Sequence, residues 1–216
     1  MNRHPADIDF PGKPEQLMSY YNDGWVSIKV EPTVSNKIKT GLVNGQYSWV
    51  DDIYLLDHDD STLNLVKSYI DTIPLLKWYQ HIFGQFDDFK LECFQVTAGE
   101  TLHWHNECMT GWTIKLALHW VSEWKESYGG HLIFGRAPVT SKGLPFGGAE
   151  ELIDFGDIAH QRTIIPKDGE GILWNNMDPC LIHKVTPVTE KNEIRYTVTV
   201  RLGYKANTQC FHLYNI

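Results

Sequence analysis

Thr113-Ile114-Lys115-Leu116-Ala117-Leu118-His119-Trp120 is the stretch whose reading decides the fold. Even positions are bulky and apolar, odd positions polar or small: the two-residue period of a strand whose faces meet different surroundings. The bulky face requires an apolar cover, which helices from the first part of the chain would supply. Thr113, Lys115, Ala117 and His119 would then line the interior of a β-roll. The last strand-like run repeats the pattern, with Arg195, Thr197, Thr199 and Arg201 opposite Tyr196, Val198 and Val200. An arginine aimed into a roll implies an anion there, either an acidic side chain or a bound carboxylate, because burying a cation without a partner is costly.

Working outward, short β-type runs separated by Gly, Pro, Asn and Asp clusters begin at Phe89, with strands predicted at 89–96, 100–106, 112–121, 130–135, 158–165, 170–175, 182–188 and 194–203. Eight short strands suit a double-sheet jelly roll. The gap from Arg136 to Asp157 holds Pro138, Gly143, Pro145, Gly147 and Gly148, and a loop of that length in a compact domain is usually functional or disordered. Before Phe89 the pattern turns helical. A short helix is predicted over 15–21, with Pro14 at its start and Gly24 past its end, followed by a strand from Trp25 to Val30. Ser61 would cap a helix burying Leu63, Val66, Ile70 and Ile73, which Pro74 would break or kink. A further helix from Leu75 to Phe83, stopped by Gly84, would bury Leu75, Leu76, Tyr79 and Phe83. The expected organisation is a single domain over 1–216: a helical and mixed support over 1–88, a β core over 89–204 and a tail over 205–216.

Composition sets the outer limits. The chain has 216 residues, 42% hydrophobic and 21% charged, with a formal net charge of −8, which predicts a soluble globular protein. No Lys/Arg run offers a track to a phosphate backbone, so nucleic acid is a disfavoured partner. The apolar stretches are too short to span a membrane and the first residues lack the core of a signal peptide, so a cytoplasmic location is expected. Cys93, Cys108, Cys180 and Cys210 form no Cys-x-x-Cys pair, which favours free thiols.

Chemistry enters with His105-Asn106-Glu107 and, far along the chain, His183. A histidine and a carboxylate two residues apart share one face of a strand, and a distant histidine can close a metal site that leaves coordination positions open. Two imidazoles and one carboxylate form the facial triad of non-haem Fe(II) oxygenases. His103 shares the face of His105 by the same alternation and is the competing ligand; only His105 has the carboxylate two residues on. His119 and His131 can line a substrate pocket or be polar interior residues satisfied by neighbours. For Arg201, an ion pair near the sheet end is the expected role.

These pieces stand in an order that resembles the 2-oxoglutarate- and Fe(II)-dependent oxygenases, specifically the prolyl-4-hydroxylase-like branch. The likeness spans roughly Phe89 to Tyr204. It is carried by His105-x-Glu107, by Leu118-His119-Trp120 through Trp124 to Gly129-Gly130-His131-Leu132, by Ile165 to Trp174, by His183-Lys184-Val185-Thr186-Pro187-Val188 and by Arg195-Tyr196-Thr197. The resemblance implies a mainly β fold, a double-stranded β-helix (jelly roll) with N-terminal helices. It also implies that His105, Glu107 and His183 hold Fe(II), that Arg195 clamps the distal carboxylate of 2-oxoglutarate, and that Thr197 adds a hydroxyl. The implied reaction consumes dioxygen, decarboxylates 2-oxoglutarate to succinate and hydroxylates a C–H bond of a peptidyl side chain or small molecule, with ascorbate as a possible reductant. Three features depart from the family pattern. Glu107 stands where Asp is more usual; the face that often presents a tyrosine to 2-oxoglutarate offers Lys115 and Ala117, with Lys115 able to act as a second anchor; and the His183 to Arg195 spacing admits a longer turn. Two other functions fit parts of the pattern: a cupin-like metalloenzyme using His103, His105, a carboxylate and His183 without a 2-oxo acid, and a non-catalytic β-roll binding module.

Overall fold

Prolines and glycines punctuate the first part of the chain. Helix α1 (Pro14–Asp23) and helix α4 (Pro74–Phe83) each begin on a proline, where the missing N–H costs nothing, and α1 ends on Gly24, whose φ of 82° places it in the left-handed region. Between them lie β1 (Trp25–Lys29), α2 (Pro32–Asn44), β2 (Tyr47–Val50), β3 (Ile53–Leu56) and α3 (Asp60–Ile70). The computed structural model of the chain describes residues 10–50, 53–57, 60–99, 101–105, 112–137, 158–178 and 180–204. Pro74 does break the helical run, separating α3 from α4. Ser61 lies inside the first turn of α3, because the helix starts at Asp60, two residues earlier than a Ser61 cap would place its first helical residue. On α4 the buried positions are Leu75, Leu76 and Trp78, while Tyr79 is half-buried and Phe83 is exposed, resting on Tyr79 with ring centroids 4.6 Å apart.

The eight strands expected after Phe89 are present as β4 (Asp88–Val96), β5 (Leu102–His105), β6 (Trp112–Trp120), β7 (Leu132–Arg136), β8 (Ala159–Ile164), β9 (Glu170–Asn175), β10 (Leu181–Val185) and β11 (Arg195–Gly203). They divide between two antiparallel sheets, in the orders β1-β9-β6-β11-β4-β3-β2 and β5-β10-β7-β8. Consecutive strands of the roll mostly switch sheets, so the two layers enclose one interior, as a jelly roll requires. The N-terminal strands β1, β2 and β3 extend the larger sheet at both edges, which makes the support continuous with the roll. The interior of the Arg136–Asp157 segment, from 138 to 157, lies outside the described residues, as do Cys108 and Cys210; Cys93 and Cys180 are free thiols. Among the described residues no helix is long and apolar enough to cross a membrane.

Two cores follow from the alternation on β6. Ile114, Leu116, Leu118 and Trp120 join Val198, Val200 and Leu202 of β11 in a cluster covered by Ile38 and Leu42 of α2, Val66 and Ile70 of α3, and Leu76 of α4. The opposite face contributes Ala117 to a second cluster with Ile172, Trp174, Leu132, Phe134 and Leu181, inside the roll. Trp120 is wholly buried and donates its Nε1–H to Ser35 Oγ of α2 at 2.9 Å, which satisfies the indole and ties the helix to the sheet. Arg201, near the far end of β11, pairs with Glu92 at 3.0 Å, the sheet-end role expected for it.

Gly171 of β9 lies opposite Leu118 of β6, and a Cβ there would collide with the carbonyl oxygen of Ala117, a backbone atom that cannot swing aside. Gly171→Ala should therefore destabilise the protein by about 1–3 kcal/mol. Urea denaturation reads this as a lower midpoint at unchanged m; an unchanged midpoint would mean that β6 and β9 are not in this register.

Candidate metal and anion site

His105 ends β5 and His183 sits mid-way along β10, and the two are direct cross-strand partners in the smaller sheet. Both are buried, each 4% exposed, and their ring centroids are 4.2 Å apart. A backbone carbonyl can only accept, so the 2.7 Å contact between His105 Nδ1 and the carbonyl oxygen of His103 fixes the proton on Nδ1 and leaves the Nε2 lone pair available. That is the tautomer a metal-binding imidazole adopts when its second nitrogen is held by the backbone. Burial pushes the His183 imidazole well below its ordinary range, and the charges of His105 and Lys115 push it the same way. Neutral imidazole is the form that coordinates a metal. The pair therefore fits Fe(II) or a similar divalent ion as two of three protein ligands. Glu107, expected as the third, lies outside the described residues; among these, no set of three His, Cys, Asp or Glu side chains gathers.

His103 is exposed and does not share the face of His105. The reason is local. His183 and Val185, two residues apart on β10, pair with His105 and Leu102, three apart on β5, so the ladder carries a bulge that breaks the alternation. His103 contributes its carbonyl to the site, not its ring.

Aromatic rings wall the histidine pair. Trp174 and Phe134 stand with ring centroids 5.2 Å and 5.6 Å from that of His183, and Trp25 of β1 stacks on Phe134 at 6.2 Å. Lys115, 6% exposed, lies with its Nζ 5.5 Å from the centroid of the Trp174 ring. Since the Trp174 ring itself packs on His183, this lysine reaches the interior at the level of the histidines.

Arg195 and Thr197 stand at a different level. Both are 3% exposed on the interior face of β11, and the Arg195 guanidinium donates to the carbonyl oxygen of Gly130. Gly130 has φ +64°, and a Cβ there would strain the turn and press on Val188 Cγ2 at 3.0 Å, while meeting Arg195 Nη1 only in ordinary contact at 3.5 Å. Across the ladder Thr197 faces His119, while Lys115 faces Arg201. Six residues of β11 separate Arg201 from Arg195, about 20 Å of strand. The structure thus brings Lys115 beside the histidines and not alongside the guanidinium. The residue it does bring there is His119, 3% exposed, whose imidazole is held well below its ordinary range by burial and by the Arg195 charge. His119 carried the right parity in the sequence, but its level relative to Arg195 depends on the β6–β11 register. His131 keeps a buried Nε2 without a hydrogen-bond partner among the described residues, so it is not the fully satisfied polar residue that one sequence reading allowed.

No protein-family model matches the sequence, and no curated protein matches it significantly. Solved structures do share the fold. A Pseudomonas putida prolyl-4-hydroxylase aligns with a TM-score of 0.62 over 88% of this chain and 98% of that one, at 12% identity. A Trichoplax adhaerens prolyl hydroxylase, solved with a peptide fragment of the hypoxia inducible factor oxygen degradation domain, aligns with a TM-score of 0.60 over 91% and 96%, at 13% identity. HygX from Streptomyces hygroscopicus, solved with nickel and 2-oxoglutarate bound, aligns with a TM-score of 0.60 over 89% and 87%, at 11% identity. The double-stranded β-helix of the 2-oxoglutarate/Fe(II) oxygenases is therefore the fold of this chain, as the sequence resemblance implied.

Two outcomes follow for the metal-free and metal-loaded protein. His105→Ala and His183→Ala should each lower Fe(II) or Mn(II) affinity by an order of magnitude or more, with an unchanged far-ultraviolet circular dichroism spectrum, whereas His103→Ala should keep its metal; normal binding by either of the first two removes that residue from the site. The second outcome concerns pH. His119 and His183 have folded-state pKa values depressed from the ordinary 6.5, so the unfolded chain binds protons that the folded chain refuses. Stability is full above that value and is lost as pH falls through and below it. The melting temperature of metal-free protein should drop between about pH 7 and pH 5, and His119→Gln should make that slope shallower.

Proposed function

We propose that this chain is a 2-oxoglutarate- and Fe(II)-dependent dioxygenase that hydroxylates a C–H bond of a peptidyl side chain or a small molecule, with decarboxylation of 2-oxoglutarate to succinate. The observation that carries the proposal is the cross-strand pair His105–His183, with His105 held in the ligand tautomer inside a fold shared with such enzymes. His105 and His183, with Glu107, would hold the iron, leaving positions for a bidentate 2-oxo acid and dioxygen. Bound there, iron supplies the oxidising power for attack on the C–H bond. The rest falls to the protein. Arg195 offers a planar fork of donors to the distal carboxylate, with the Thr197 hydroxyl on the same face. Trp174 and Phe134 keep water from the reacting centre, and the low dielectric they create strengthens the charged contacts. Lys115, at the level of the histidines, is the second cation of the pocket. Such an enzyme would work in the cytoplasm, with ascorbate as an optional reductant. The exposure of His103 counts against a cupin-like site that needs its ring.

The test is iron-dependent succinate formation from 2-oxoglutarate, including uncoupled turnover without a primary substrate, together with cosubstrate binding to anaerobic metal-loaded protein. Arg195→Met should weaken 2-oxoglutarate binding by roughly 30- to several-thousand-fold with little change in metal affinity, and Arg195→Lys should recover only part of the loss. If neither turnover nor binding is found in iron-loaded protein, the proposal fails and a non-catalytic module takes its place. If Arg195→Met binds normally and Lys115→Met does not, the clamp belongs to Lys115.

A further inference from the structure

His119, a buried histidine of β6, stands on the arginine side of the interior and not at the His105–His183 pair. It lies directly opposite Thr197 across the β6–β11 ladder, and its Nδ1 stands 3.3 Å from Thr197 Oγ1. Its other ring nitrogen, Nε2, is buried and has no hydrogen-bond partner among the described residues. Arg195, two residues from Thr197 on the same face of β11, is a diagonal neighbour, within about 7–8 Å backbone to backbone. Burial first, and the Arg195 charge second, hold the His119 imidazole well below its ordinary range and so uncharged.

A neutral imidazole has one donor and one acceptor, so the contact with Thr197 decides which nitrogen meets the cavity as which. If Nδ1 carried the proton, Nε2 would present a lone pair to any anion held by Arg195, a repulsive arrangement. If the Thr197 hydroxyl donates to Nδ1, Nε2–H becomes a donor aimed at that anion. We infer that His119 meets the distal carboxylate of 2-oxoglutarate beside Arg195 as a neutral Nε2–H donor, and that Thr197 acts through His119 as a positioning residue instead of touching the carboxylate itself. This inference rests on the proposed function and alters its account of Thr197. A hydroxyl has a single proton, and one spent on Nδ1 is not available to the cosubstrate.

The experiment titrates Zn(II)-loaded, anaerobic protein with 2-oxoglutarate and, separately, with 2-oxobutyrate, which lacks the distal carboxylate. His119→Phe should weaken 2-oxoglutarate by about tenfold to a hundredfold and leave 2-oxobutyrate and Zn(II) affinity unchanged. His119→Gln, which keeps an N–H donor, should recover most of the loss. Thr197→Val should weaken 2-oxoglutarate in the parent but add nothing in the His119→Phe background, because the two act as one unit. Nitrogen-15 spectra of the unsubstituted, metal-free protein should show the His119 proton on Nε2. Normal 2-oxoglutarate binding by His119→Phe, equal losses for both 2-oxo acids, additive effects of the two substitutions, or a proton on Nδ1 would each overturn the inference. Failure of the parent to bind 2-oxoglutarate at all would defeat the functional reading and this inference with it, so the two failures are distinguishable.

Discussion

A strand buried on both faces has to satisfy two interiors at once, and β6 is that strand here. Its neighbours β9 and β11 hold it in register by backbone hydrogen bonds, and all of its described positions from Thr113 to Trp120 are buried. Ile114, Leu116, Leu118 and Trp120 pack against the helices in an apolar cluster, with the Ser35 hydroxyl taking the Trp120 indole N–H. Thr113, Lys115, Ala117 and His119 meet a space that must accept a cation and an imidazole. A slip of one residue would exchange these sets and bury Lys115 and His119 against α2, α3 and α4, at a cost of several kcal/mol for the unpaired ammonium alone. Register is thus both the condition for the outer core and the device that delivers the polar groups.

The smaller sheet supplies what the larger cannot. Its β5–β10 pairing sets two imidazoles directly opposite each other, and the bulge that turns His103 outward also leaves its carbonyl where His105 Nδ1 can reach it. One irregularity removes a competing ligand and fixes the tautomer of the remaining one. The aromatic wall comes from both layers: Trp174 from β9, Phe134 from β7, and Trp25 from the N-terminal strand β1, which pairs with β9 so that Trp25 and Trp174 are cross-strand partners. The N-terminal support therefore reaches into the site and does more than cover the roll's outer face.

Alternation was legible, and with it the eight strands of the roll and the inward set Lys115, His119, Arg195 and Thr197. What the sequence could not convey was level. Parity places Lys115 and His119 on one face equally well; only the pairing of Thr197 with His119 and of Arg201 with Lys115 tells which stands near the arginine. His103 was misplaced for a related reason, since a bulge has no signature in a four-residue strand. Helix α2 escaped notice because Pro32 reads as the end of the preceding strand, while Gly41 and the Ser, Asn and Thr residues between Val34, Ile38 and Leu42 dilute the helical period. Strands β2 and β3 lie at the sheet edge with mostly exposed or half-buried side chains, so no hydrophobic alternation marks them.

The central claim is that one interior holds a metal at the His105–His183 pair and the distal carboxylate of a 2-oxo acid at Arg195, at separate levels of the roll. The most direct measurement is an anaerobic crystal structure of the protein with Mn(II) and 2-oxoglutarate. The account predicts metal density bound by both imidazoles through Nε2, and the distal carboxylate against the Arg195 guanidinium. Metal bound elsewhere, or a cosubstrate whose distal carboxylate lies on Lys115 with Arg195 untouched, would contradict it.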